Sequence, residues 1–483
     1  MESTKGEVRF GRVGLKAAAA GSPRFQRGCQ GAPNRPQIAG SLFISSSTTI
    51  ATPKRPSQSG RNGTLKEMRH SRKSFGRLGL VLALATAMPA VSRASAPPGP
   101  PAQPAAVHTN PLNNDPLVKE AFVHFYDLDY AGAVERFERF HAQHPGDPQP
   151  VVLLLEALLF QELYRQDLLD TTFYANDGFL TGRHATQEDP MVRDRILGLA
   201  DEAIHDADWR LSQNQNDVDA LYARGWARAL KCAYIAMVER GYGAGFKLAR
   251  AAKDDHARVL QMDPSYVDAK LVVGVYDYVV GALPLPFKLL VGFAGITGSK
   301  SRGLEMLADD GRRGQTTSVE ARTTTALFLR REGRYKEAIA VVRGLKSEYP
   351  RNYLFHLEEA NLRKDAGEGM GAAEAYRAIL AANAKPGYFY APRLELTYFG
   401  LGDALRVQRH FGEAAQAYEQ AASGANVSPE LKIRSLLDAG QCRDLNSERP
   451  LAIKDYQAAI DNGPNTSRAD AARKYLRNPY TGS

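Results

Sequence analysis

The sequence predicts an all-α chain, a right-handed superhelical solenoid of antiparallel helix pairs. Three observations predict it. From Leu117 onward the prolines fall between apolar-periodic segments rather than within them, where they stop helices. No strand-type alternation interrupts those segments. One pattern of small and large residues recurs, and the unit starting at 319 is followed by another 34 residues later, at 353.

The chain begins with a leader. Residues 1–67 are poor in large apolar residues and rich in Gly, Ser, Arg and Pro, so they are expected to be disordered. Met68 opens a basic stretch followed by an apolar run from Leu78 to Val91, and Ala94-Ser95-Ala96 has small residues at cleavage spacing. Residues 68–96 therefore read as a secretory signal peptide, with translation starting at Met68 and 1–67 a mis-assigned extension. The expected location is periplasmic or secreted; an uncleaved segment would instead leave an N-terminal anchor. Residues 97–111 carry six prolines and read as an extended linker.

The leader also accounts for the charge. The chain is +9 overall, but residues 1–96 contribute +13 and the remainder is −4. A nucleic-acid partner needs a basic stripe on the folded part, and none is present. Cys232 and Cys442 lie in separate helical patterns with no CxxC pair, which predicts two free thiols.

The repeats follow. Unit 395–428 places Tyr398, Leu401, Gly402, Leu405, Phe411, Ala414, Tyr418 and Ala421 at positions 4, 7, 8, 11, 17, 20, 24 and 27. Small residues at 8 and 20 let two helices cross closely, and large ones at 4, 11 and 24 fill the space between pairs. Units 319–352, 353–386 and 433–464 keep the frame, and 114–147 keeps much of it. Gly225 with Ala252, Val259 and Pro264 forms a pair with a long insertion between its helices, and the polar segment 467–477 reads as a capping helix before the tail to 483. The expected organisation is a divergent helical region over 112–310 and a regular array over 315–466. On these residues the chain resembles the tetratricopeptide repeat family over 114–477.

The segment 278–307 departs from the frame. Leu283 and Pro284, Lys288-Leu289-Leu290, Gly292-Phe293, Gly298 and Gly303-Leu304 are similar to a segment of the tetratricopeptide repeat protein 39 and inclusion body clearance protein family. That family carries an acidic-basic pair after the glycine, where this chain has Ser299-Lys300. Pro284 and Pro286 forbid one continuous helix, so no membrane span is expected. The segment is expected to plug the superhelix. A second reading has 279–296 resting on a membrane surface as part of a peripheral envelope protein.

No catalytic constellation stands out, and no enzyme, cofactor or metal site is expected. His141 and His144 lack a third ligand at suitable spacing. Asp127 and Asp129 suit a helix cap. Gly241, Gly243 and Gly245 lack the preceding strand and the Gly-Lys-Ser/Thr of a phosphate loop, and read as an inter-helix loop. The expected function is a scaffold that binds protein or peptide partners in its concave groove. In the family's register the first helix of each unit lines that groove, which selects Arg330, Arg331, Asn361, Lys364, Phe399, Arg406 and Gln441 as partner-binding residues.

Overall fold

The computed structural model describes residues 106–175, 188–283 and 297–482. They belong to a compact unit that begins at Ala96. The expected leader and signal peptide lie outside the described residues. So do residues 284–296, the middle of the 278–307 segment expected to plug the superhelix and most of the 279–296 stretch read as meeting a membrane.

Seventeen α-helices and three short 3-10 helices are present among the described residues, and no strand. The α-helices pair in chain order. α1 (Pro116–Tyr126) packs on α2 (Tyr130–Gln143), α3 (Pro148–Arg165) on α4 (Pro190–Gln213), and α5 (Val218–Met237) on α6 (Tyr242–Met262). Then α7 (Lys270–Ala282) packs on α8 (Lys300–Arg313), α9 (Ser318–Arg331) on α10 (Tyr335–Glu348), and α11 (Tyr353–Asp365) on α12 (Gly369–Asn383). The last pairs are α13 (Leu394–Val407) with α14 (Phe411–Ala422) and α15 (Pro429–Leu445) with α16 (Arg449–Asn462), closed by α17 (Ser467–Arg477). The fold is the expected all-α solenoid.

Local chemistry fixes the helix starts. Asp115, Asp147 and Asp189 each precede a proline and accept a hydrogen bond from a backbone N–H two residues on. Proline at the first helical position loses no bond, because that N–H has no intrahelical acceptor. Asp129 caps α2 through the Gly132 N–H and also holds His124, whereas Asp127 pairs with Arg351. In five of the eight pairs the chain turns between the helices in three residues, with the middle one left-handed: Leu128, Gly333, Gly367, Arg409 and Ser447.

Close crossing fixes the pairs. A Cβ on Gly402 would come within 2.7 Å of the Tyr418 ring, and one on Gly440 within 2.6 Å of the Tyr456 ring. Both tyrosines are fully buried, and their hydroxyls reach through to Asp403 and Asp444. In α5 and α6 the partner of Gly225 is instead the buried His256. Burial holds that imidazole neutral, with its pKa down at about 4. Gly303 plays the same part between α7 and α8, where a Cβ would meet the Gly274 carbonyl at 2.6 Å. Gly303, within the atypical segment, thus has a packing role.

Three local expectations need correction. No long insertion separates α5 from α6; the additional residues lengthen both helices, to 20 and 21 residues. Gly243 and Gly245 lie inside α6 rather than in a loop, and Gly241 is its N-cap. The end of the linker is docked: the His108 N–H bonds to the Ser265 carbonyl, and its ring lies 4.6 Å from that of Tyr266. Cys442 is a buried free thiol and Cys232 a half-buried one.

Candidate functional site

The first helices of the later pairs, α9, α11, α13 and α15, carry the groove residues selected from the sequence. The groove has two halves with different contents.

The first half is filled by the chain itself. After α3 a short strap, residues 166–175, runs over α9 and α11 and includes the 3-10 turn Thr171–Tyr174. Arg330 is the centre of this contact. Its Nε donates to Asp365 Oδ2 at 2.8 Å, its Nη1 to Thr171 Oγ1 at 2.8 Å, and its Nη2 to Thr172 Oγ1 at 3.3 Å. Glu358 lies 3.3 Å from the guanidinium and also accepts from the Thr171 hydroxyl. Arg331 donates to the Tyr174 carbonyl at 2.8 Å. Asn361 donates to Asp170 at 3.3 Å and accepts the Tyr376 hydroxyl at 2.6 Å. Three of the seven expected partner-binding residues therefore hold a peptide, and it is the protein's own. The physical reason is burial: the Arg330 side chain is 1% exposed and could not meet a partner without losing the strap.

Further contacts tie the same two regions. Arg393 donates to the Asp167 carboxylate at 2.8 Å and to the carbonyls of Tyr164 and Arg165. The Tyr126 hydroxyl donates to Glu320 at 3.0 Å, and Asn352 to the Tyr126 carbonyl at 2.7 Å.

The second half is open. A cavity of ≈ 410 Å³ between α11, α13 and α15 is lined by Lys364, Arg406, Arg434 and Arg468 and by Asp403 and Asp438. Lys364 pairs with Asp403 at 3.0 Å. Arg406 pairs with Asp438 at 3.2 Å and donates to Gln441 at 2.6 Å. Arg434 lies over the Phe399 ring at 4.4 Å and keeps about half its side chain exposed at 49%. Arg434 also lies 3.8 Å from Asp438, and Arg468 pairs with Glu430 at 3.2 Å, so the four cations of the lining share three carboxylates and carry one net positive charge. Desolvation raises the pKa of Asp438 against the lowering effect of Arg406 and Arg434. The four remaining expected residues, Lys364, Phe399, Arg406 and Gln441, converge on this half. The same register places Glu320 and Arg434 at position 2 of their units. Both belong to the groove and were not among the expected set.

His141 contacts Glu202, and His144 bonds to the Phe140 carbonyl, so the two histidines face different neighbours. Among the described residues no group of three or more His, Cys, Asp and Glu is placed to hold a metal, and no helix is long and apolar enough to cross a membrane.

No family model matches the chain, and no curated protein does. Solved structures similar to it include a tetratricopeptide repeat protein from Parabacteroides merdae, at 17% identity over 66% of this chain and 97% of that one, with a TM-score of 0.31. Yeast Tom70 is similar at 11% identity over 75% and 87% of the two chains, with a TM-score of 0.35. The human IFIT1 dimer with PPP-AAAA is similar at 12% identity over 75% and 81%, with a TM-score of 0.34. The chain's own helix pairs and glycine crossings define its fold.

Proposed function

We propose that this protein is an exported scaffold that binds an acidic peptide segment of a protein partner in the open half of its groove. The observation that carries this reading is the net-positive lining of the α11–α13–α15 cavity, with the exposed Arg434 beside the apolar face of Phe399. Guanidinium groups with an aromatic floor suit a carboxylate flanked by an apolar side chain. The filled half supports the same chemistry, since the strap it holds is acidic at Asp167 and Asp170. Export rests on residues 68–96, read as a signal peptide, and periplasmic or secreted localisation belongs to the proposal. The likeness to the tetratricopeptide repeat protein 39 family stays with residues 283–304 and lends no role in lipid or inclusion turnover.

The test compares co-purification from envelope extract with wild type and with a Lys364→Glu, Arg434→Glu double variant. Partners should be lost from the variant while its circular dichroism is unchanged. An unchanged partner set would refute the groove as the binding surface.

A further inference from the structure

Past α17 the chain returns to the first helices of the last two pairs. Residues 478–482 are not helical, and Asn478 is extended, at φ −132° and ψ 121°. Tyr480 makes the contact. Its backbone N–H donates to Asp444 Oδ2 at 2.8 Å, and its hydroxyl accepts from Arg406 Nη2 at 3.3 Å. Its ring lies 5.6 Å from that guanidinium and 5.1 Å, edge-on, from the ring of Tyr475. Asp444, with a side chain 1% exposed, is also fixed by Arg449 and by the Tyr456 hydroxyl.

The repeat register sets this seat. Arg330, Lys364, Arg406 and Asp444 all stand at position 12 of their units. Arg330 holds the strap, Arg406 and Asp444 hold Tyr480, and Lys364 lines the open cavity. Position 12 is thus where this array meets an extended segment. The two self-contacts differ in strength. Arg330 is buried under several strap residues, whereas Arg406 keeps 25% of its side chain exposed, and the residues on both sides of Tyr480 are exposed. One residue anchors the segment, and residues 478–482 include no acidic side chain to meet Arg434.

We infer that residues 478–482 are a displaceable occupant of the groove, seated where an extended partner segment with a tyrosine lies, and that they compete with that segment. The inference deepens the groove reading above: acidic residues beside the tyrosine would give a partner the contact with Arg434 that this segment cannot make. A segment tethered so closely has an effective concentration on the order of millimolar. With an intrinsic Kd of about 0.1 mM, it raises the apparent Kd of a competitor about tenfold.

The test uses the purified full chain and a capped peptide of the sequence 478–482, with binding read by ligand-observed NMR. Tyr480→Pro removes the ring and the N–H together, and Asp444 keeps Arg449 and Tyr456, so circular dichroism should be unchanged. The peptide should bind this variant about tenfold tighter than it binds the wild type. A peptide with alanine in place of the tyrosine should bind neither. Absence of peptide binding to the variant, equal affinity for the two chains, or equal binding of the alanine peptide would each overturn the inference. If Tyr480→Pro fails to fold, Tyr480→Ala, which keeps the N–H, takes its place under the same criteria. The probe is the chain's own segment, so this test can fail while the acidic-partner reading stands, and the co-purification can fail while this one succeeds.

Discussion

Replacing Arg330 by methionine removes the charge that holds the strap and keeps most of the side-chain volume. The guanidinium contacts Asp365, Glu358, Thr171 and Thr172. Its two carboxylate partners fare differently once it is gone. Asp365 has a side chain 26% exposed and can recover hydration, whereas Glu358 at 9% cannot. One stranded buried charge costs about 3–5 kcal/mol. Glu358 already stands at about 7, so near neutrality it takes a proton readily, which places the loss at the lower end, about 3 kcal/mol. That corresponds to roughly a hundredfold increase in strap opening. The sign with pH follows from the raised pKa. In the wild type Glu358 stabilises the fold fully below its ordinary value of 4.5, and this contribution is lost as pH rises through about 7. Without Arg330 the folded pKa climbs further, so the loss continues to higher pH. The gap between variant and wild type should therefore widen from pH 6 to pH 8.5. Hydrogen exchange of the Phe173 and Ala175 amides, which bond within the strap, reads this directly. Unchanged exchange at these amides, or a gap that narrows as pH rises, would refute the reasoning.

Gly440→Ala should destabilise by about 2 kcal/mol in urea unfolding, because its Cβ meets a ring that cannot slide while the Tyr456 hydroxyl holds Asp444. Gly344→Ala, with open space around it in α10, should instead stabilise by about 0.5–1 kcal/mol. Asp310 is fully buried, and desolvation with help from Asp268 pushes its pKa up to about 9. It therefore stabilises below its ordinary 3.8 and loses that contribution as pH rises toward 9, so Asp310→Asn should melt higher than wild type by a margin that grows from pH 5 to pH 9. A margin independent of pH would exclude this cause.

The repeats were legible because their determinants are local or periodic. Prolines between the apolar-periodic segments mark where helices stop, and the small residue at position 8 marks the crossings at 402 and 440. The open half of the groove was legible for the same reason, since Lys364, Phe399, Arg406 and Gln441 recur at fixed positions. The filled half was not. Arg330 and Thr171 are 159 residues apart, and nothing in the pattern around either names the other. The long helices α4, α5 and α6 were obscured because their extra turns dilute the period. Glu320 and Arg434 fall under the rule that selected their neighbours, so the register was sufficient to find them.

The strap also bears on how the molecule reaches its native state. Helical repeat arrays normally fold quickly, because nearly all their contacts join neighbours in the chain. Here Arg393 meets Asp167 across 226 residues, and Tyr126 meets Glu320 across 194. Such contacts form only after a long loop has closed, so the chain gains a slow late step that a linear array lacks. During synthesis α1 to α3 emerge well before α9 to α13 exist, and their groove-facing side chains wait without partners until the array is made. The docked state is then a property of the whole described chain, and a fragment that ends before α13 lacks Arg393 to hold Asp167.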